Sequence, residues 1–175
     1  MPPVTVLCVP GPWEDRDTLS KGISAATDGR ISVKDDRITS GADGFTSGLE
    51  WAWADPAMER AFAVAAQRSP DLEALLPAVR GHRSVAYLTT EEAGPEALAQ
   101  MHGLATALLD AGGHGVKVEA AGFAHAPAAW RSADETPSVV TLFHLCVVHM
   151  VEHPNFFASH GMHQFGLPDT LVFTD

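Results

Sequence analysis

The segment His149-Met-Val-Glu152-His153 has residue types and a spacing suited to zinc chemistry. It fits the pattern H-x-x-E-H, in which two histidines bind zinc and the glutamate acts as a general base. That chemistry needs a helix, where residues four apart lie about 6 Å from each other. Residues 139–151 are rich in Val, Leu, Phe and Thr, and Pro154 follows them, so we expect a strand. In a strand the two histidines would lie about 13 Å apart, too far to share an ion.

A second candidate metal site pairs histidines across a hairpin formed by the same segment. If Val151 faces Phe156 across the turn, His144 comes opposite His163, close enough to ligate one ion. The pairing depends on the register, because a slip of one residue sends the two side chains to opposite faces. Histidines on strands are more often hydrogen-bonded structural residues. We therefore expect no metal or cofactor, and the candidate ligands, should a metal bind, are His144, His163, His149 and His153.

Other signatures of catalysis or ligand binding are weaker. The glycine-rich residues 112–115 lead from a helix into a strand, whereas a phosphate loop leads from a strand into a helix. The tryptophans Trp13, Trp51, Trp53 and Trp130 could line a ligand site, although such residues more often belong to the core. We expect Trp51 or Trp53 to lie at the edge of a partner-binding face.

Composition narrows the class of protein. The 175 residues are 46% hydrophobic and 19% charged, which excludes general disorder. With 22 acidic and 11 basic side chains the net charge is -11, which disfavours nucleic acid as a partner. The longest apolar stretch, residues 139–151, is shorter than the roughly 20 residues of a membrane span, so we expect a soluble protein without membrane association. There is no signal peptide pattern, and Cys8 and Cys146 lie in apolar runs, so we expect reduced thiols and a cytoplasmic location.

The order of predicted elements indicates an α+β fold in a single domain, residues 1–175, with a mixed, largely antiparallel sheet. We expect strands at residues 4–9, 30–39, 45–54, 84–88 and 116–120, and helices at 15–27, after Asp55-Pro56, after Ser69-Pro70, at 95–111 and near 126–131. The N-terminal half reads strand, helix, strand, strand, helix, strand, which matches a ferredoxin-like plan with helices on one face. Residues 139–151 are expected to form one long strand that returns as a hairpin.

The run Ser159-His-Gly-Met-His-Gln-Phe-Gly-Leu-Pro-Asp169 is the most distinctive part of the sequence. Together with residues 8–13 and 115–119 it resembles a bacterial family catalogued as domain of unknown function 4261, over nearly the whole chain. In that family a Gly-Met-x-x-Phe-Gly-Leu-Pro-acid stretch closes the domain. The resemblance implies a stand-alone bacterial domain with no assigned activity, cofactor or catalytic residue. The glycines Gly161 and Gly166 permit positive φ, and Met162, Phe165 and Leu167 can fill the core.

Two functional hypotheses follow. The first is a non-enzymatic cytoplasmic module that binds a protein partner or itself, and its acidity would suit a basic partner. The alternative is a metal-assisted hydrolase built from the histidine-rich C-terminal segment. Binding of a small molecule in a pocket beside the tryptophans is a third possibility.

Overall fold

The computed structural model describes residues 4–67, 71–133 and 136–173, and only the backbone at residues 148–151 and 153. Its main sheet has seven strands: β1 (Thr5–Gly11), β2 (Ile31–Lys34), β3 (Arg37–Ser40), β4 (Thr46–Trp53), β5 (Ser84–Thr90), β6 (Val116–Val118) and β7 (Phe123–His125). The strand order is β2-β3-β4-β5-β1-β6-β7, and every neighbouring pair is antiparallel. The expected α+β fold with a largely antiparallel sheet is therefore confirmed.

Helices cover both faces of this sheet. They are α1 (Arg16–Ala26), α2 (Met58–Ala65), α3 (Leu72–Arg80), α4 (Pro95–Asp110), α5 (Pro127–Arg131) and α6 (Val139–Cys146). Leu7 and Val9 of β1 pack into a core with α1 and α4, whereas Cys8 packs into a second core with α2 and α3. The near-continuous apolar run of β1 is explained by this burial on both faces. The expectation that helices occupy one face is wrong, because α2 and α3 cover the other face.

The ferredoxin-like plan for the N-terminal half is also wrong in its strand order. In that plan the first strand lies between the third and the fourth, whereas here β5 lies between β4 and β1. The number of strands also differs from that plan: residues 30–39 form two strands, because Asp35 takes a positive φ of 51° and turns the chain between β2 and β3. The added strand and the pairing of β4 with β5 give a continuous antiparallel sheet.

The long strand expected at residues 139–151 is corrected by the structure. Residues 139–146 form α6, whose first turn is capped by Ser138 Oγ accepting from the N–H of Thr141 at 3.1 Å. This N-cap stabilises a helix in spite of its β-branched residues. Only then does the chain extend, as β8 (Val148–His153), β9 (Phe156–His160) and, after a 3-10 helix at Met162–Phe165, β10 (Leu171–Phe173). These strands form a second antiparallel sheet, in the order β10-β9-β8, which confirms the expected hairpin.

Three smaller expectations have mixed outcomes. The helix expected after Ser69-Pro70 is α3, which continues past Pro77 to Arg80. The expected helix start at Ser69-Pro70 lies outside the described residues. Within the part of the chain that the structure describes, no helix has the length and apolar composition to cross a bilayer.

Candidate functional site

The structure separates the histidines that the hairpin register would have paired. His144 lies exposed on α6, and His163 lies half-exposed on the 3-10 helix. In the observed register Val151 pairs with Ala158 and His153 pairs with Phe156, so the expected pairing of Val151 with Phe156 is wrong. The cross-strand site with His144 opposite His163 is therefore wrong as well, because His144 is not on a strand.

The H-x-x-E-H segment lies in β8, as the expected strand requires. An extended backbone holds residues four apart about 13 Å from each other, so His149 and His153 lack the helical spacing of that zinc motif. The side chains of these two histidines lie outside the described residues. Among the residues that are described, no three His, Cys, Asp or Glu side chains come together in a way that would hold a metal.

Ser159, Asp169 and His163 meet at the end of β9, but their order differs from that of a hydrolytic triad. Ser159 Oγ donates to Asp169 Oδ1 at 3.1 Å, and the N–H of Met162 donates to the same oxygen at 3.1 Å. His163 Nδ1 is 4.0 Å from the other carboxylate oxygen. A triad requires histidine between serine and carboxylate so that it can accept the serine proton. Here the carboxylate lies in the middle, so the three residues lack the order of a triad. The hydrogen bonds of Ser159 and Met162 to Asp169 connect the end of β9 to the chain that follows the 3-10 helix, and His163 makes no hydrogen bond to it.

The distinctive C-terminal motif closes the fold around a side chain that the sequence analysis did not identify. Gly161 and Gly166 both have positive φ, as expected, and a Cβ on Gly161 would lie 2.6 Å from the carbonyl oxygen of Cys146. Gln164 is fully buried and donates to that same carbonyl at 2.8 Å. Leu167, which was expected in the core, is exposed. No local pattern distinguishes Gln164 from an exposed glutamine, because its burial depends on α6.

Exposed apolar side chains are concentrated near the C-terminal sheet. Eight large hydrophobic side chains are exposed among the described residues, and six of them lie between residues 139 and 173. Three of the six form β10, where Leu171, Val172 and Phe173 are 55%, 54% and 74% exposed. The ring of Phe173 contacts that of Phe156 on β9, with centroids 6.1 Å apart. We call Phe156, Leu171, Val172 and Phe173 the edge-strand surface.

The backbone of β10 has one free side. It is an edge strand that pairs only with β9 among the described strands. The N–H of Ser159 donates to the carbonyl of Thr170 at 2.9 Å, and antiparallel pairs alternate between bonded and non-bonded positions. Val172 is therefore the next residue bonded to β9, and Leu171 and Phe173 direct their N–H and C=O groups away from β9. Such outward groups can pair with another strand.

The C-terminal part of the chain, which contains this edge, lacks lysine and arginine. After Arg131 the sequence has no lysine or arginine. Natural edge strands are often protected from pairing by lysines, prolines or bulges placed on the exposed edge. Residues 171–173 contain none of these features. A cavity of about 230 Å³ adjoins the strand and is lined by Phe143, Phe157, Met162 and Val172, among others.

The tryptophans do not form one site. Trp13 and Trp130 are buried, and Trp130 stacks on His102 with ring centroids 5.0 Å apart. Trp51 and Trp53 contact each other edge to face at 4.7 Å, and Trp53 is exposed. Trp53 thus has the exposure that a contact residue needs, but it lies on the main sheet rather than beside the edge-strand surface.

Comparison with known proteins identifies no relative of this chain. No protein-family model, no curated protein and no solved structure matches the chain significantly.

Proposed function

We propose that this protein is a non-enzymatic interaction module that self-associates by pairing β10 with β10 of a second copy. The observation that carries the proposal is the exposure of three consecutive apolar residues, Leu171, Val172 and Phe173, on an edge strand without a charged residue. Leu171 and Phe173 lie on the same face of β10 and Val172 lies on the other, so both faces of this edge strand carry exposed apolar side chains of the kind found at interaction sites. The net charge of -11 supports a protein partner over a nucleic acid.

The backbone geometry supports a second copy as the occupant. Two β10 strands related by a two-fold axis would run antiparallel, with Val172 opposite its counterpart and Leu171 opposite Phe173 of the partner. In this register the outward N–H and C=O groups of Leu171 and Phe173 bond to each other across the axis. All four outward groups of each strand are then satisfied, and each leucine packs beside a phenylalanine.

The oligomeric state tests this proposal. We expect the wild-type protein to sediment as a dimer that dissociates on dilution. Phe173→Lys places a charge on the edge, and Phe173→Pro removes an outward N–H without removing a bond to β9. Each change should raise the dissociation constant of the dimer at least about tenfold, equivalent to about 1.4 kcal/mol. Val64→Lys is the matched control, because Val64 is a similarly exposed apolar residue on α2.

Two results would overturn self-association through β10. One is a wild-type protein that remains monomeric at every concentration examined. The other is equal weakening by the Phe173 variants and by Val64→Lys, which would show that added charge acts generally. Thermal unfolding of each variant confirms that the fold is retained before the oligomeric states are compared.

We further propose that residues 161–169 form the closing motif of the family of unknown function that the sequence resembles. The support is structural rather than catalytic: Gly161 has no room for a side chain, and Asp169 accepts one hydrogen bond from Met162 within the motif and one from Ser159 just before it. A cytoplasmic location is part of the same proposal. Cys8 and Cys146 are buried free thiols, a form typical of reducing compartments.

A further inference from the structure

A cavity of about 380 Å³ lies on the side of the main sheet that is covered by α1 and α4. Residues from the end of α1, from β2 and β3, from α4 and from α5 line it. Its volume is within the range of sites that hold small organic molecules. The lining combines alanines and Ile31 with a few polar groups, including Ser40 and Thr106. Apolar walls with a few oriented polar groups are typical of small-molecule sites.

Gly103 keeps one wall of the cavity open. It lies in the interior of α4, and a Cβ placed on it would meet no atom within 4 Å. Glycine inside a helix costs roughly 0.5–1 kcal/mol relative to alanine. No packing contact in the described structure requires glycine at this position, since the space beside Gly103 is empty. Gly103 lines the cavity at an exposed position, so its lack of a side chain leaves the cavity wall open there, and a larger side chain would occupy that space.

The ionisable groups at the cavity give it a net positive charge. Asp110 is paired with Arg131 through contacts of 2.9 and 3.0 Å, which neutralises both. Unlike Arg131, Arg30 hydrogen-bonds to the backbone: its Nε donates to the carbonyl oxygen of Thr27 at 3.0 Å. No carboxylate within the described residues pairs with Arg30, so its terminal nitrogens are available to an anion. Two arginines and one aspartate leave one positive charge in a chain whose overall charge is -11.

The histidine in the wall has unused hydrogen-bonding capacity. His102 is 4% exposed, and its Nε2 lies 3.1 Å from the carbonyl oxygen of Trp130. Because a carbonyl only accepts, Nε2 carries the hydrogen and Nδ1 is left as an acceptor. Nδ1 is buried and has no partner among the described residues. Buried polar atoms are usually satisfied, so this nitrogen is an unusual feature of a residue that lines the cavity.

We infer that this cavity binds a small monocarboxylate with a compact apolar body, whose carboxylate pairs with Arg30. The single net charge favours a monoanion over a phosphate dianion, since Asp110 and the acidic chain repel additional negative charge. The apolar body would lie against Ile31 and in the space beside Gly103. This site is separate from the edge-strand surface and does not depend on self-association.

Titration with benzoate, phenylacetate and octanoate, followed by calorimetry and by amide chemical shifts, tests the inference. At least one acid should bind saturably and shift the amides of Gly103 and Thr106. The neutral analogue benzamide and inorganic phosphate should bind at least about tenfold more weakly than the best acid. Gly103→Leu should abolish binding by filling the cavity, whereas Gly103→Ala should retain most of it and confirms that the position tolerates substitution.

Arg30→Gln should weaken binding of the best acid at least about tenfold, equivalent to about 1.4 kcal/mol. Arg60→Gln is the matched control, because Arg60 is an exposed arginine on α2, outside this cavity. The inference is overturned if no acid binds, if benzamide or phosphate binds as tightly as the acids, or if the folded Gly103→Leu variant binds like the wild type. Equal effects of the Arg30 and Arg60 variants would also overturn it, because they would indicate general electrostatics.

Discussion

The side-chain amide of Gln164 donates to the carbonyl oxygen of Cys146 at 2.8 Å, and Gln164 has no exposed surface. This contact joins the 3-10 helix to the last turn of α6. A second hydrogen bond links the 3-10 helix to the start of α4, since the N–H of Gly94 donates to the backbone carbonyl of Gln164 at 2.8 Å. Gln164 thereby connects the 3-10 helix both to α6 and to the start of α4.

Gln164→Leu should destabilise the protein by about 1–3 kcal/mol, because the carbonyl of Cys146 would remain buried without its donor. Urea denaturation measures the change in the free energy of unfolding. His163→Ala is the control, since His163 is the exposed neighbour on the same 3-10 helix and should change stability by no more than about 0.5 kcal/mol. Equal effects of the two substitutions would contradict the role given to Gln164.

Two glycines should respond in opposite directions to alanine. Gly103→Ala should stabilise the protein by about 0.5–1 kcal/mol, since the new Cβ enters open space in a helix. Gly113→Ala should destabilise it by about 1–3 kcal/mol, because its Cβ would lie 2.8 Å from Val9 Cγ1 and 2.9 Å from the carbonyl oxygen of Leu108. Chemical denaturation of both variants gives the comparison. A loss of stability in Gly103→Ala would show that the space beside it is not free.

Stability should fall as the pH drops below about 6.5, the ordinary pKa of histidine. Burial lowers the pKa of His102, His114 and His125. Below about pH 6.5 the unfolded chain therefore binds more protons than the folded one, and acid favours unfolding. Carboxylates contribute little in this window, because they titrate at lower pH.

Denaturation at about pH 7.5 and about pH 5.5 measures this dependence. His102→Gln keeps a donor for the carbonyl of Trp130 and should reduce the loss of stability between the two pH values. His160→Gln, a change at an exposed position, should leave that loss unchanged. A wild-type protein that is equally stable at both pH values would contradict the prediction.

Protein purified without a histidine tag should contain far less than one equivalent of zinc. His144 and His163 are not paired across a hairpin, and β8 is extended at His149 and His153. Elemental analysis checks the prediction and tests the hydrolase alternative directly. Stoichiometric zinc that disappears in a His149→Ala/His153→Ala variant would contradict it and would support that alternative.

Several elements could be predicted from the sequence because their signals are local. The apolar run of β1 indicates burial on both faces, and Asp15 caps α1 through the N–H of Thr18 at 2.7 Å. Pro95 at the first position begins α4. Such periodicities and caps depend on neighbouring residues and hold in most tertiary contexts. The C-terminal hairpin was predictable for the same reason, since Pro154 and Asn155 separate its strands.

Tertiary structure decided what these local signals left open. Residues 139–146 have a composition typical of strands, but the Ser138 cap and packing against the core make them a helix, because secondary-structure propensities are weaker than tertiary contacts. The burial of Gln164 depends on Cys146 of α6, and the cavity exists because α5 brings Arg131 to the same side of α4 as Arg30. A sequence pattern describes a residue's neighbours along the chain, whereas burial and cavities are set by residues that meet only after folding.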